Sequence, residues 1–261
     1  MKTGSIQFIG TGASAGVPVI GCDCNTCRSK SPRNKRLRSS AIIRVGGKEI
    51  LVDATPDFRQ QALRYRIRSP DALLISHTHY DHVGGIEELR AYNIHSRRAI
   101  PCYLSQSSFE DLKKLLYYHF IPKSEEKSFS AMFDFQVLQT PSGVCDVGGI
   151  SVEYFTYAQG DMPVTGFRIG SLAYLTDIKQ YDASLFSHLY DLDVLVVGAG
   201  WRTPSRMHMT VDEALSFQQK VGAKKTYFIH LSHDIEYRSV QASLPTGVAL
   251  AYDGLELDFP I

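Results

Sequence analysis

The chain reads His77-Thr-His79-Tyr-Asp81-His82 and continues Val-Gly-Gly85, so three imidazoles and one carboxylate fall within six residues. They follow the apolar run 72–76, which has the composition of a strand, and therefore leave its end together on one loop. A lone histidine is an ordinary surface or core residue, but packing gives no reason to gather four donors at this density. Nitrogen and oxygen donors converging on one loop form the borderline ligand set that suits zinc, manganese or iron. Gly84 and Gly85 permit close backbone packing behind them.

The rest of the chain supplies strands with which to surround that loop. Runs 5–10, 41–45, 49–54, 72–76, 101–104, 134–138, 150–157, 166–169, 172–176, 194–197 and 226–230 carry strand-like apolar patterns. Gly46-Gly47 and Gly170-Ser171 read as hairpin turns, so the sheets are expected to be mixed. Helical signals are fewer. Ser107-Ser-Phe-Glu110 reads as a capping box opening a helix over 111–120, and Thr210-Val-Asp-Glu213 as another opening 214–220, with Gly222 as its stop. This mixture predicts an α/β fold with helices covering sheets. No convincing repeat, low-complexity tract or linker divides the chain, so a single domain spanning 1–261 is expected.

Composition narrows the class. With 44% hydrophobic residues, 21% charged and a formal charge of +1, the chain has no overall pull toward nucleic acid or membrane, and affinity for an anion has to come from the site. Arg28, Lys30, Arg33, Lys35, Arg36 and Arg38 cluster in 28–38, which reads as a solvated loop in preference to a phosphate-attracting rim. The start MKTGSIQFIG lacks the apolar core of a signal peptide and no run is long enough to span a bilayer, so a cytoplasmic protein is expected. Three of the five cysteines form Cys22-Asp-Cys24-Asn-Thr-Cys27, spaced too closely for a disulfide framework, and in a reducing compartment that spacing points to metal. Cys102 and Cys145 stand alone and read as structural.

His-x-His-x-Asp-His after a core strand resembles the signature of the metallo-β-lactamase superfamily. The resemblance implies an αββα sandwich of two mixed β-sheets flanked by helices. Gly10-Thr-Gly12-Ala-Ser14-Ala-Gly16-Val-Pro18, running into the cysteines, more closely resembles the N-terminal block of the PhnP-type phosphodiesterase branch, and the likeness extends from Gly10 to His233. It implies that His77 and His79 bind one metal, that Asp81 and His82 bind its neighbour, that Asp177 bridges the two and that His230 completes the site. Taken alone, Asp177 reads equally as a turn residue or helix cap.

One position departs from the family pattern. Relatives carry a metal-binding His shortly before a Pro-Val-x-Gly-Tyr/Phe-Arg run, and this chain has Gln159 there. A neutral amide oxygen is a weaker ligand than imidazole for zinc-like ions, so the metal held by His77 and His79 is expected to be loose, replaced or absent. The cysteines need a fourth ligand to close a structural zinc site. His233, three residues after His230, is the best candidate, and the resemblance implies the same Cys3His arrangement. Redox-active or merely buried thiols are the alternative.

Two metals about 3.5–4 Å apart lower the pKa of water and clamp the oxygens of an in-line displacement at phosphorus. The expected function is therefore hydrolysis of a small phosphate ester or nucleotide, cyclic diesters included. One or two catalytic zinc or manganese ions are expected, with iron as a further candidate, and Asp81 and Asp177 would position the hydroxide. By the resemblance His208 contacts the scissile phosphate or assists the leaving group; alone it reads equally as an exposed histidine near a helix start. Arg202 is a secondary candidate for a phosphate oxygen, although a surface role is commoner. Three competing readings are a ribonuclease Z-like nuclease, a PqqB-like protein of cofactor biosynthesis, and a scaffold in which Gln159 has disabled one metal position. The first lacks the long Gly/Pro-rich insertion used to grip tRNA. Relatives suggest a homodimer; no membrane partner is expected and nucleic acid is not favoured.

Overall fold

The structure, a computed structural model, describes residues 3–120 and 130–261. Its strands are β1 (Thr3–Gly10), β2 (Ser40–Val45), β3 (Lys48–Val52), β4 (Ala72–Leu74), β5 (Ile100–Ser105), β6 (Phe133–Leu138), β7 (Ser142–Val147), β8 (Ile150–Gln159), β9 (Met162–Ile169), β10 (Leu172–Leu175), β11 (Val194–Gly198), β12 (Lys225–Ile229), β13 (Val248–Leu250) and β14 (Glu256–Pro260). They form two seven-stranded sheets, ordered β14-β1-β2-β3-β4-β5-β6 and β13-β12-β11-β10-β9-β8-β7.

Both sheets repeat one pairing pattern. From β14 to β3 the first sheet is antiparallel, and from β3 to β6 it is parallel. From β7 to β10 the second is antiparallel, and from β10 to β13 parallel. β3 of one sheet thus answers to β10 of the other. The repetition lies in strand order and is invisible in the residues themselves. Its causes are local: Gly46-Gly47 (φ +56° and +77°) and Gly148-Gly149 (φ +62° and +91°) turn tight hairpins. Helices Phe58–Tyr65, Arg90–Ser96, Gln106–Leu115, Val211–Val221 and Tyr237–Ser243 supply crossovers between parallel neighbours.

Alternation along the strands divides the core into three apolar layers. Ile43, Ile50, Val52, Leu74, Phe167, Leu172, Tyr174 and Val196 meet between the sheets. Ile42, Leu51, Leu73 and Ile75 face the helices on the first sheet, and Ala173, Leu175, Leu195 and Val197 those on the second. The αββα sandwich expected from the motif is the one observed. Strands buried on both faces read as continuous apolar runs, which made the central ones legible.

One expected cap is displaced. Ser105, not Ser107, caps the helix Gln106–Leu115, accepting from the Ser108 amide at 3.2 Å, and the helix gives way to a 3-10 turn at Tyr117–His119 before reaching Phe120. The capping box at Thr210 and Glu213 is present with both bonds, and Gly222 ends that helix at φ +70°. The basic segment is largely committed to the fold. Arg33 lies 4.6 Å over the Tyr252 ring, Arg38 pairs with Asp57 at 2.8 Å, and buried Arg36 donates to the Ser232 and Ile235 carbonyls. Among the described residues no helix is long and apolar enough to cross a membrane.

Candidate metal centre

The donors collect at the carboxyl ends of the strands, where open α/β sheets place their ligands. Asp53 follows β3, His77 to His82 follow β4, Gln159 ends β8, Asp177 follows β10 and His230 follows β12. A short helical turn, Tyr80–Val83, turns Asp81 and His82 inward. It can approach because Gly85 has no side chain: a Cβ there would collide with the Thr55 carbonyl, as one at Gly200 would with that of His230. Asp53, Asp177 and His230 adopt left-handed backbone, at φ 59°, 50° and 58°. Such residues cost on the order of 1–3 kcal/mol each and persist only where the surroundings over-determine them.

His82 stands between the two carboxylates that follow the equivalent strands β3 and β10. Its Nδ1 lies 2.8 Å from Asp53 Oδ2, and its Nε2 lies 3.0 Å from Asp177 Oδ2 and 3.3 Å from Asp81 Oδ2. His230 Nε2 is 3.3 Å from both Asp81 Oδ2 and Asp177 Oδ1. The buried His82 Nε2 nevertheless makes no hydrogen bond, although both carboxylates lie within 3.3 Å of it. Tetrahedral ligands at about 2.0–2.1 Å from a zinc-like ion lie about 3.3 Å apart, so this donor set fits a divalent cation. Asp53 extends the support: it also accepts from Ser76 Oγ at 2.7 Å and from the Ser76 amide at 2.8 Å, while Ser76 Oγ lies 3.0 Å from His77 Nδ1.

Charge is concentrated here in buried side chains. Burial raises the Asp177 pKa, but His230 and His82 beside it outweigh burial and hold it well below the usual carboxylate range. Asp81 is likewise held low against burial by His82 and His230. Burial opposes charge on His82, yet Asp177, Asp81 and Asp53 raise its pKa well above the ordinary value. His77, facing burial and the His82 charge, is pushed well below its own.

The second group of donors is less closed. His77 Nε2 and His79 Nδ1 lie 2.9 Å apart, near the separation of two ligands about 2.1 Å from one cation at a right angle. The three-donor groups among the active-site residues, each with ligand atoms within 4.8 Å of one another, are His77, His82 and Asp177; Asp81, His82 and His230; and Asp177, His208 and His230. Gln159 places Nε2 2.8 Å from Asp177 Oδ1. His208 Nδ1 is 3.2 Å from the same oxygen, with its ring stacked on Trp201 at 4.1 Å between centroids. Burial lowers the His208 pKa. Arg202 is exposed on the loop beyond Trp201.

The cysteine loop closes against His233. Its Nδ1 lies 3.3 Å from Cys22 Sγ and 3.7 Å from Cys24 Sγ and Cys27 Sγ. A tetrahedral zinc with sulfur at about 2.3 Å and nitrogen at about 2.0–2.1 Å sets these atoms about 3.6 Å apart, so the four residues fit one ion. A hydrogen bond from the Cys27 amide is the main reason the Cys24 thiol is lowered to about 6, and burial pushes Cys27 up to about 11.

The structure therefore brings together His77, His79, Asp81, His82, Gln159, Asp177, His208 and His230, and separately Cys22, Cys24, Cys27 and His233. Sequence reasoning missed Asp53, Ser76 and Trp201. The one available signal for Asp53 was its likeness to Asp177: each is an Asp just beyond a buried apolar strand. Cavity size is no guide to the site. A cavity of 840 Å³ lies at the opposite end of the sandwich, around Gly46, Gly149 and Gly170.

Comparison with known proteins follows the same lines. Residues 48–231 match the family described as the beta-lactamase superfamily domain. A crystal structure described as a new diphosphatase from the PhnP family is 34% identical, with a TM-score of 0.90, over 99% of this chain and 98% of that one. The octanoyltransferase of Porphyromonas gingivalis is 34% identical over 253 residues, 95% of this chain, and the chain spans only 50% of that protein's length. Coenzyme PQQ synthesis protein B of Methylorubrum extorquens is 26% identical over 312 residues, 97% of this chain and 99% of that protein.

Proposed function

The chain belongs to the β-lactamase superfamily, and from that premise we propose that it is a metal-dependent phosphodiesterase hydrolysing a small phosphate ester or nucleotide, cyclic diesters included. The resemblance to the PhnP branch is borne out by the diphosphatase of that family, matched along nearly the full length of both chains. One observation carries the reading: the ionised Asp177 carboxylate offers Oδ2 to His82 at 3.0 Å and Oδ1 to His230 at 3.3 Å and His208 at 3.2 Å, so a single residue joins the donor groups.

In this reading Asp81, His82, His230 and Asp177 would hold one cation, and His77, His79 and Asp177, with Gln159 nearby, would hold another. Zinc or manganese suits both positions, iron less commonly, and Cys22, Cys24, Cys27 and His233 hold a structural zinc. When bound, the catalytic ions supply Lewis-acid stabilisation of the phosphate oxygens and lower the pKa of water. The chain's own residues do the rest. Asp81 and Asp177, kept ionised inside the sandwich, orient the attacking water by accepting its hydrogen bonds. His208, held flat against Trp201 and oriented by Asp177, is placed to contact the scissile phosphate or to assist the leaving group. Five unpaired cysteines support a cytoplasmic location, and the family likeness supports a homodimer.

The octanoyltransferase name belongs to a protein about twice as long as the match, and its activity is not transferred. A PqqB-like role in cofactor biosynthesis is the second reading, favoured by the end-to-end match at 26% identity. An assay of bis(p-nitrophenyl) phosphate and 2′,3′-cyclic nucleotides beside precursor tRNA separates the outcomes. Turnover of the small diesters is expected. Cleavage confined to the RNA, or turnover that requires oxygen and iron, would overturn the phosphodiesterase reading.

A further inference from the structure

The two catalytic cation positions are unequal, and Gln159 makes them so. Asp81, His82 and His230 form one three-donor group, and Asp177 lies 3.0 Å from His82 and 3.3 Å from His230; His77 shares its group only with His82 and Asp177, and among the described residues His79 belongs to no group. Gln159, 2% exposed, stands at the end of β8 where the family pattern has a third imidazole. Its Nε2 lies 2.8 Å from Asp177 Oδ1 and 3.1 Å and 3.2 Å from the two ring nitrogens of His208. Its Oε1 is buried without a hydrogen-bond partner. An ionised carboxylate only accepts, so Asp177 dictates which end of the amide faces it: the NH2 points in and the oxygen is left unsatisfied.

Two consequences follow for a cation beside His77 and His79. The Gln159 NH2 occupies a carboxylate oxygen that such a cation would share, so the bond to Asp177 has to break before the position fills. Once the amide turns, Oε1 becomes a neutral oxygen donor in place of an imidazole nitrogen. Carbonyl and carboxylate oxygens favour manganese(II) relative to zinc, which is better served by imidazole.

We propose that Gln159 is a latch on the His77/His79 position, bonded to Asp177 when that position is empty and turned to present its oxygen when it is filled. The position therefore binds weakly, exchanges readily and discriminates less against manganese(II) relative to zinc than a three-imidazole position would, while the Asp81/His82/His230/Asp177 position holds its ion tightly. This rests on the metal-centre reading of these residues and is independent of which ester is cleaved.

The test is a manganese(II) titration of chelator-stripped, zinc-reconstituted protein, with free manganese followed by electron paramagnetic resonance and bound metal counted by mass spectrometry after dialysis. The wild type should retain one catalytic ion through dialysis and bind a second at least about tenfold more weakly. Gln159→His should tighten the weaker step by roughly tenfold to a hundredfold and shift its preference toward zinc. Gln159→Glu, which keeps the oxygen and removes the competing NH2, should tighten it for manganese and serves if the histidine variant fails to fold. Equal affinity at both catalytic positions of the wild type, or an unchanged weaker step in the folded variants, would overturn the latch while leaving hydrolysis intact. Unequal binding without diester hydrolysis would instead remove the phosphodiesterase reading and leave the latch standing.

Discussion

At the scale of single residues, the centre is organised around one imidazole. His82 gives Nδ1 to Asp53 and leaves Nε2 beside Asp81 and Asp177, so its orientation is set from behind by a carboxylate that never faces substrate. Outer partners of this kind fix the tautomer and raise the basicity of a metal-binding histidine, and their loss costs about tenfold to a hundredfold in metal affinity. Asp53 also reaches His77 through Ser76, so it supports both donor groups at once. Asp53→Asn should therefore lower catalytic metal content after dialysis by about that factor while leaving the cysteine-bound ion and the circular dichroism spectrum unchanged. Unaltered metal retention would assign Asp53 to the fold alone. The candidate ligands His77, His79, Asp81 and His82 were legible because they crowd into six residues; Asp53 was not, since a lone Asp after an apolar run has many ordinary explanations.

Among the elements, legibility followed burial. The inner strands β2, β4, β10 and β11 are buried nearly throughout, and β3 and β12 over most of their length, and they announce themselves as apolar runs. β7 (SGVCDV) is an edge strand exposed at alternate residues, and β13 has three residues, so neither carries a pattern strong enough to find. Helices divided in the same way. Val211–Val221 has a capping box and a terminal glycine, and both were readable. Phe58–Tyr65 has neither: Asp57 at its start spends its side chain on Arg38, and its left-handed end is Arg66 at φ 55°. With eight residues, only Phe58 and Gln61 of them buried, the helix carries a polar sequence whose bounds nothing marks. The missed helix therefore reflects absent punctuation, with tertiary packing supplying what its own residues do not.

Across the whole molecule, two sheets of identical pairing order bring β3 and β10 into equivalent places, and the Asp that follows each converges on His82 from opposite sides. Neither half holds the complete donor set. His77 to His82 come from the first sheet, and Gln159, Asp177 and His230 from the second, so the proposed metal centre can assemble only when both have folded and packed. The loops that frame the centre depend on a further carboxylate. Asp253 accepts from Thr11 Oγ1 at 2.7 Å and the Leu37 amide at 2.8 Å, yet burial outweighs those bonds and raises it from 3.8 to about 6. A carboxyl raised in the folded state contributes stability below the unfolded value of 3.8, and that contribution is lost as pH rises through about 6. Between pH 4 and 7 the wild type should therefore lose about 2–3 kcal/mol relative to Asp253→Asn in chemical denaturation. Parallel pH profiles for the two proteins would contradict this.

The proposed metal centre for hydrolysis is the histidine–aspartate cluster, with Asp177 common to its parts. Its most direct test measures hydrolysis of bis(p-nitrophenyl) phosphate by wild type and Asp177→Ala, before chelation, after chelation and after readdition of zinc or manganese. Chelation should abolish activity and a divalent cation restore it in the wild type, with none in a folded Asp177→Ala that still holds its cysteine-bound zinc. Hydrolysis that survives chelation, or persists in Asp177→Ala, would contradict this.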